Sequence, residues 1–508
     1  MRHIAEAVSR NCRLNPDAEA VADGTRRLTH AELANRAWAI GRGLRAAGVE
    51  TGDSIGVLAG NTVFSAETFI GAVVAGGSFV PYNWRWTTEE LVHGINETGA
   101  RVILVAKEHV SGIEAALATG DLEPGTRVFV EGDNFEAMLV PGGELPLAYG
   151  PEDAATILFT GGTTGFSKGV VLSHRACLAN AFNEIMDCRV AASVGDRGLI
   201  STPLFHSAAL LCWFLPHYVA GRFVLLMNRF DEGHVAEAVT RERITNMFLV
   251  PNMIRRMLGT GAFEAAGFRA SFRSLHSGAG LLRMPDKLAL MDLMPDLDLY
   301  FRYGLTEAGP MVTRLLPSDV LRDDIDGSIG QEYLLAEVEL RLDDGVTPAR
   351  IDEIGEIYVR GPGLMTGYFG RPEATAEVLR DGWLQTGDLA TRNADGYLFF
   401  RDRAKDMIKT GGENVYCSEI EQLLQTHGSV MEAAILGVPS LEWDEEVRAV
   451  ISVREGHDLT EGEVRDFLRQ RLASYKVPKV IVLVGPGQIP LNPSGKVVKS
   501  EVRTMVGW

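Results

Sequence analysis

The sequence predicts an α/β protein: a large N-terminal region of strand and helix layers, then a β-rich subdomain, then a small, mobile α+β domain at the C-terminal end. Two observations carry this prediction. Apolar segments of strand length alternate with amphipathic helical segments over about the first hundred residues, and short strands with glycine turns replace them at about 327–400. The 508 residues, 46% of them hydrophobic, exceed what one hydrophobic core usually contains, so several domains are expected.

The N-terminal elements show the alternation most clearly. Residues 28–48 have a Thr29 cap, Glu32 three residues later and Gly48 at the end, which is typical of a capped amphipathic helix. The elements expected next are a strand at 54–59, a helix at 62–76, a strand at 78–81, a helix at 88–98 and a strand at 101–105. Such alternation favours mostly parallel sheets covered by helices, which bind ligands at the carboxyl ends of their strands.

The C-terminal part is predicted to be a separate domain. It begins in the charged run 401–406. The elements expected after this run are a helix near 418–427, strands near 431–437 and 447–453, a helix near 461–472 and a last strand near 479–484. The predicted domains are therefore residues 1–402 and 403–508.

Charge and cysteine usage exclude several classes of protein. The formal net charge of -18 repels nucleic acids and anionic membranes, so no nucleic-acid partner is expected, although residues 471–508 carry six basic side chains against one acidic. Five widely spaced cysteines without a C-x-x-C pair argue against a disulfide framework or structural zinc and favour a cytoplasmic protein. No signal peptide or spanning run is evident, so no stable membrane insertion is expected. The oligomeric state is left open, with a homodimer among the alternatives.

Residues 160–169 form the most informative segment, a run rich in glycine and threonine that ends in Lys168 and Gly169. The apolar residues 155–159 and 170–172 on either side predict the two strands of a β-hairpin. Glycines in such a loop free backbone N–H groups to surround phosphate oxygens. A Walker A loop is disfavoured, because the spacing around Lys168 and the residues that follow do not fit. A flexible hairpin without a ligand stays an alternative.

Six further segments stand out along the chain, and all but the first contain glycine: 203–207, 277–280, 303–307, 386–388, 401–421 and 493–496. Together, and in this order, they resemble the adenylate-forming superfamily, which includes acyl-CoA synthetases, peptide-synthetase adenylation domains and firefly luciferase. The resemblance extends from the helix at Leu28 to Lys496. Each segment alone is a weak indication, but six in one order with matching spacing are not expected by chance.

The resemblance implies a two-step reaction in which a carboxylic acid and Mg-ATP give an acyl adenylate and pyrophosphate, and a thiol then displaces AMP. It implies that Lys496 reaches the reacting carboxylate and the α-phosphate, that Glu307 holds Mg²⁺, and that Thr306 contacts phosphate. His206 is similar to a histidine that lines the acyl pocket. The implied nucleotide contacts are Thr160, Thr163, Thr164, Gly165 and Lys168 for the phosphates, Gly278, Ala279, Gly280 and Tyr303 for adenine, and Asp388 and Arg403 for the ribose or a phosphate.

The thiol step is implied to depend on the C-terminal domain. Lys405 occupies the position of the hinge about which relatives rotate this domain, and Lys409, Gly411 and Gly412 would then replace Lys496 at the site. Paired glycines suit a narrow pantetheine tunnel. The basic tail suits the phosphates of coenzyme A, with contacts expected from Lys476, Lys479, Arg85, Trp443 and Tyr475.

Three residues depart from the superfamily pattern. Gly161 stands where serine is common, and Ser167 and Cys417 stand where proline is usual. None of these changes removes a charged catalytic group. They bear on phosphate geometry and loop rigidity rather than on the reaction class.

The segments that correspond to the acyl pocket of relatives are apolar here. The predicted pocket residues are His206, Ala208, Ala209, Phe248, Gly304 and Met311. No cation for a second carboxylate is evident, so a hydrophobic monocarboxylic acid is expected, of the medium-chain, aromatic or alicyclic class. The predicted function is an acyl-CoA synthetase that uses ATP, Mg²⁺ and coenzyme A. Two alternatives stay open: an acyl-AMP ligase that loads a carrier protein, and an inactive nucleotide-binding regulator.

Overall fold

The computed structural model describes residues 1–146, 149–160, 167–410, 413–440, 442–491 and 497–508. The chain divides into two compact units. The first unit comprises Met1–Val338 and Val359–Leu384, and the second comprises Glu339–Tyr358 and Gln385–Trp508. The predicted boundary between residues 402 and 403 lies within the second unit and stays a prediction.

Helices occur throughout the described residues. The α-helices are α1 Glu6–Leu14, α2 His30–Ala46, α3 Val63–Val74, α4 Thr88–Thr98, α5 Val110–Ala118, α6 Phe135–Met138, α7 His174–Asp187, α8 Ser207–Ala209, α9 Leu215–Ala220, α10 Glu232–Arg241, α11 Pro251–Gly259, α12 Phe268–Ser271, α13 Met284–Leu293, α14 Pro372–Val378, α15 Cys417–Gln425, α16 Glu461–Arg469 and α17 Lys499–Val506. Short 3₁₀ turns include Thr306–Ala308, and a π-helix spans Leu210–Phe214 between α8 and α9.

Strands alternate with these helices in most of the first unit. The strands are β1 Glu19–Ala22, β2 Arg27–Thr29, β3 Ser54–Leu58, β4 Ser78–Pro81, β5 Val102–Val105, β6 Arg127–Val130, β7 Ala154–Thr160, β8 Lys168–Ser173, β9 Arg197–Ile200, β10 Phe223–Leu226, β11 Asn246–Phe248, β12 Ser274–Gly278, β13 Asp298–Gly304, β14 Met311–Leu315, β15 Gln331–Glu332, β16 Glu337–Arg341, β17 Gly355–Arg360, β18 Gly367–Tyr368, β19 Leu379–Arg380, β20 Trp383–Arg392, β21 Leu398–Arg403, β22 Ile408–Thr410, β23 Glu413–Val415, β24 Val430–Ser440, β25 Asp444–Val453 and β26 Val480–Val484.

Two mixed sheets make up the first unit. One has the order β15-β14-β13-β12-β11-β9-β10-β1-β2, and the other has the order β18-β8-β7-β4-β3-β5-β6. The inner pairs β9–β11, β11–β12 and β12–β13 are parallel in the first sheet, as are β3–β4, β3–β5 and β4–β7 in the second. The predicted parallel, helix-covered architecture is confirmed, and β7 and β8 confirm the predicted hairpin.

The sequence explains where several helices begin. Thr29 caps α2: its side chain accepts from the Glu32 N–H, and the Glu32 carboxylate accepts from the Thr29 N–H. Thr87 and Glu90 form the same reciprocal box at α4. Helix α3 is buried along its whole length, which explains its nearly continuous apolar sequence.

The second unit is smaller. Its C-terminal part has strands in the order β23-β22-β25-β24, and β26 pairs with β25 in parallel. Helices α15 and α16 cover this sheet with an apolar core that includes Ile420, Leu424, Val464 and Leu468. The elements near 418–427, 431–437, 447–453, 461–472 and 479–484 are therefore present as predicted, with ends shifted by a few residues.

Candidate active site

The predicted phosphate loop joins two paired strands. β7 and β8 run antiparallel, and Thr160 lies opposite Lys168 where the chain leaves β7 and enters β8. This pairing places Thr160 and Lys168 side by side on the two strands that the loop joins. Thr163, Thr164 and Gly165, the other predicted phosphate contacts, lie outside the described residues.

Glu307 meets this hairpin from a different part of the chain. It lies in the 3₁₀ turn Thr306–Ala308, directly after β13. Its Oε1 accepts hydrogen bonds from Thr160 Oγ1 at 3.4 Å and from the Tyr368 hydroxyl at 3.1 Å. The structure thus brings the predicted metal carboxylate and the predicted phosphate hairpin into one site.

Strand β18 carries Tyr368 into the same site. Tyr368 pairs with Val170 on β8, and the Phe369 N–H donates to the Gly169 carbonyl oxygen at 2.8 Å. Lys168 Nζ lies 4.8 Å from the centroid of the Tyr368 ring, within the range of a cation–π contact. Tyr368 was not among the sequence candidates, although its strand lies within the β-rich segment, 327–400, in which glycine turns were recognised.

Thr306 connects the site to the predicted acyl segment. Its Oγ1 lies 2.9 Å from Ser207 Oγ, which begins α8. His206 immediately precedes this serine, and its ring lies 4.5 Å from that of Phe205. Ala208 and Ala209 follow on the same short helix. The predicted histidine and alanines therefore lie beside the turn that carries Glu307.

Close backbone packing fixes this turn. Gly309, directly after the turn, has a φ of +89°, and a β-carbon there would overlap the Gly363 carbonyl oxygen. A β-carbon on Gly304, the last residue of β13, would overlap the Pro310 carbonyl oxygen. Only glycine is accommodated at either position, because the neighbouring atoms belong to the backbone and cannot rotate away.

The predicted acyl-pocket residues collect at one edge of the first sheet. Phe248 ends β11 and is 5% exposed, and Met311 pairs with Gly304 across β13 and β14. The Trp213 ring, in the π-helix after α8, lies 6.4 Å from that of Phe248. Because β11, β12 and β13 are parallel neighbours, their carboxyl ends meet at this edge.

The predicted adenine contacts lie at the same edge. Gly278 pairs with Arg302, and a β-carbon on Gly278 would come within 2.6 Å of the Arg302 carbonyl oxygen. Ala279 follows in the left-handed region with a φ of +63°, so the chain turns sharply where β12 ends, ahead of Gly280. Tyr303 is next to Arg302 on the neighbouring strand. The close strand approach explains why glycine is needed at position 278.

A buried ion pair lies behind this edge. Arg302 Nη1 is 2.7 Å from Glu184 Oε2 on α7, and both side chains are at most 1% exposed. Arg302 also hydrogen-bonds His276, and the Tyr333 hydroxyl donates to Glu184. Burial raises the pKa of Glu184 to about 7, although the Arg302 charge opposes this shift. Sequence reasoning missed this pair; the only indication was an arginine within the apolar strand 299–302.

The predicted ribose contacts lie in the second unit. Asp388 on β20 pairs with Arg403 on β21, and Arg403 Nε is 3.4 Å from Asp388 Oδ1. Asp388 is 6% exposed. Lys405 and Lys409 are exposed on the turn and strand that follow. Gly411, Gly412 and Lys496 lie outside the described residues.

The coenzyme A contacts predicted in the tail differ in their surroundings. Lys476 Nζ lies 2.7 Å from a Glu419 carboxylate oxygen, so its charge is already paired. Lys479 Nζ lies 5.1 Å from the centroid of the Trp443 ring. In the first unit, the Arg85 guanidinium lies 4.6 Å from the Trp84 ring.

Comparison with known proteins decides the family. Residues 8–369 match the AMP-binding enzyme family, and residues 419–496 match the C-terminal domain of AMP-binding enzymes. The chain belongs to the AMP-binding enzyme family. The predicted membership of the adenylate-forming superfamily, in its acyl-CoA synthetase branch, is confirmed.

Relatives of known activity align over nearly the whole of this AMP-binding enzyme. A feruloyl-CoA synthase from Amycolatopsis is 38% identical over 506 residues, covering 98% of each chain. An indoleacetate–CoA ligase from Aromatoleum aromaticum is 33% identical, covering 99% of this chain and 98% of the relative. ATP-bound MatB from Rhodopseudomonas palustris is a structural neighbour with a TM-score of 0.88 and 26% identity, covering 99% of this chain and 98% of that one. Within the described residues, no helix is both long and apolar enough to cross a bilayer.

Proposed function

We propose that this acyl-CoA synthetase activates a hydrophobic monocarboxylic acid, with aromatic acids as the leading class, and transfers the acyl group to coenzyme A. The observation that carries the proposal is the hydrogen bond between the Ser207 and Thr306 hydroxyls. It connects the apolar helix α8 to the 3₁₀ turn that contains Glu307. An acid bound against α8 would present its carboxylate to this turn. Feruloyl-CoA synthase and indoleacetate–CoA ligase, both named for aromatic acids, are among the relatives.

In the first step, the carboxylate oxygen attacks the α-phosphorus of ATP, and the bond to pyrophosphate breaks. We assign the pyrophosphate end to Thr160, Lys168 and the loop between them, because charged and hydroxyl donors offset the charge that develops on these oxygens. Thr306 would contact the α-phosphate. Lys496 is proposed to serve the reacting carboxylate as a point cation.

The residues around Glu307 fit a magnesium ion. Mg²⁺ prefers oxygen ligands and is commonly held by one or two carboxylates together with substrate phosphates. Glu307 supplies such a carboxylate, and the described residues contain no cluster of three or more His, Cys, Asp or Glu side chains that would form a separate protein cage. When bound, the ion would neutralise charge on the phosphate oxygens.

In the second step, the thiol sulfur of coenzyme A attacks the acyl carbon, the thiol proton is lost and AMP leaves. We propose that residues 403–508 rotate about Lys405 for this step, so that Lys409, Gly411 and Gly412 replace Lys496. Exposure of Lys405 and Lys409 is compatible with such a rotation. Asp388 and Arg403 are neighbours on paired strands, which supports their assignment to one ribose.

The buried pair of Arg302 and Glu184 supports a monocarboxylic substrate. Arg302 is the cation that directly precedes Tyr303 in the sequence, and Glu184 already neutralises it at 2.7 Å. A second substrate carboxylate would have to displace Glu184 or be buried without a partner, which is costly.

We also propose a cytoplasmic location, since all five cysteines are free. A homodimer stays a prediction.

A substrate panel tests the proposal. Purified protein would be given ATP, Mg²⁺, coenzyme A and, in turn, ferulate, indoleacetate, octanoate, malonate and phenylalanine, and acyl-CoA and pyrophosphate would be measured. We expect both products with the hydrophobic monocarboxylates and neither with malonate or phenylalanine. AMP release without acyl-CoA, but with loading of a phosphopantetheinyl carrier protein, would favour the carrier ligase. If no acid in the panel caused release of pyrophosphate from ATP, the result would favour the alternative of an inactive nucleotide-binding regulator.

A further inference from the structure

Tyr368 contacts both of the oppositely charged groups of the first unit's site. Its hydroxyl donates to Glu307 Oε1 at 3.1 Å, and Lys168 Nζ lies 4.8 Å from the centroid of its ring. One side chain therefore contacts the carboxylate with its polar end and the ammonium group with its aromatic body.

The backbone holds Tyr368 firmly in this position. Its strand β18 pairs with β8, which begins at Lys168. The Met365 N–H, three residues before Tyr368, donates to the Glu307 carbonyl oxygen at 2.9 Å. The Tyr368 N–H donates to Thr375 Oγ1 at 2.9 Å. Backbone hydrogen bonds therefore connect the segment of Tyr368 both to the strand that begins at Lys168 and to the turn that contains Glu307.

An ion pair between Lys168 and Glu307 would be harmful in this site. It would occupy the carboxylate that a divalent cation needs and the ammonium group that phosphate needs. The uncharged Tyr368 side chain contacts each of the two groups weakly and leaves the carboxylate available to a cation and the ammonium group available to phosphate.

We propose that Tyr368 is a positioning residue for the divalent cation that accompanies ATP: its hydroxyl orients the Glu307 carboxylate, and its ring keeps Lys168 from pairing with that carboxylate. This inference rests on the proposed function, in which Glu307 holds the cation and Lys168 holds phosphate. Tyr368 does not itself touch the reacting atoms; it acts through its two neighbours.

The test measures cation binding rather than turnover. Mn²⁺ would be titrated into the full-length protein with saturating α,β-methylene-ATP, and free Mn²⁺ followed by electron paramagnetic resonance. Tyr368→Phe keeps the ring but removes the hydrogen bond, so we expect about 10-fold weaker Mn²⁺ binding. Tyr368→Leu also removes the ring, so binding should weaken further. Adding Lys168→Met to Tyr368→Leu should return the dissociation constant towards that of Tyr368→Phe.

Tyr149→Phe is the matched control. It removes a buried hydroxyl that donates to the Val73 carbonyl oxygen at 2.7 Å, and should leave Mn²⁺ binding unchanged. Unchanged Mn²⁺ binding in Tyr368→Phe would overturn the orienting role. Failure of Lys168→Met to recover binding would overturn the separating role. If the wild type bound no Mn²⁺–nucleotide complex, the proposed function would fall together with this inference.

Discussion

Ser207 Oγ and Thr306 Oγ1 lie 2.9 Å apart, so a hydroxyl from α8 is hydrogen-bonded to the hydroxyl proposed to contact the α-phosphate. Ser207→Ala would free Thr306 to rotate away. One hydrogen bond between neutral groups contributes about 0.5–1.5 kcal/mol. We expect kcat for adenylation, measured by pyrophosphate release, to fall by about 2- to 12-fold, with KM for coenzyme A unchanged.

Ser271→Ala is a suitable comparison for this change. Ser271 Oγ donates to the Ile244 carbonyl oxygen at 3.0 Å, and the residue is 9% exposed. This variant should lose stability but keep its rate of adenylation. An equal loss of rate in both variants would mean that the Ser207 effect is only structural.

The Glu307 carboxylate is expected to be needed for its charge rather than its shape. Glu307→Gln keeps an oxygen that can accept from Thr160 and Tyr368, but it removes the negative charge. We expect kcat/KM for ATP to fall by about 100-fold or more, and the Mg²⁺ concentration at half-maximal rate to rise. Glu373→Gln, at an exposed carboxylate on α14, should behave as the wild type. If Glu307→Gln required the same Mg²⁺ concentration as the wild type, Glu307 would not be a ligand of the metal ion.

Gly309 should tolerate no side chain. Gly309→Ala combines a positive φ with overlap on the Gly363 carbonyl oxygen, whereas Gly99→Ala has a positive φ of +60° with open space around the added carbon. We expect a loss in the free energy of unfolding of about 1 kcal/mol for Gly99→Ala from backbone strain. Gly309→Ala should lose clearly more, and urea unfolding would measure both. Equal losses would show that the contact with Gly363 is unimportant.

The pair of Glu184 and Arg302 should make stability depend on pH. Burial raises the pKa of Glu184 to about 7, so this carboxyl is largely protonated in the folded protein below that pH and ionised above it. Because this pKa lies above the ordinary value of 4.5, the bound proton stabilises the folded wild type at low pH, and this stabilisation is lost as the pH rises through about 7. Glu184→Gln cannot titrate, so its free energy of unfolding should increase relative to that of the wild type by about 1 kcal/mol between pH 6 and pH 8.5. A difference between the two proteins that is the same at both pH values would contradict this assignment.

Much of the fold could be predicted because local sequence and tertiary structure agree. Thr29 and Glu32 mark the start of α2 by a reciprocal hydrogen-bonded box, which requires only neighbours in the chain. The strands around the glycine loop were evident as short apolar runs, and they pair as a hairpin. In the candidate site, Thr160, Lys168, Thr306 and Glu307 were all predicted from motifs, and the structure places Thr160 opposite Lys168 and within hydrogen-bonding distance of Glu307.

Contacts between distant segments could not be predicted in the same way. Tyr368 reaches Glu307 across 61 positions, and Ser207 reaches Thr306 across 99. Tyr368 has no local pattern that distinguishes it from an ordinary strand tyrosine, and the motif at 203–207 contains Ser207 without indicating its distant partner. Arg302 was likewise missed, since its partner Glu184 lies on α7, far from Arg302 in the sequence.

We propose that the chain forms an acyl adenylate with Lys496 and then a thioester with a different set of residues. Measuring both half-reactions in Lys496→Ala tests it most directly: pyrophosphate release from ATP and acid, and acyl-CoA formation from synthetic acyl-AMP. We predict that Lys496→Ala abolishes the first reaction and retains the second at close to the wild-type rate. Equal loss of both half-reactions, or normal pyrophosphate release, would contradict the account.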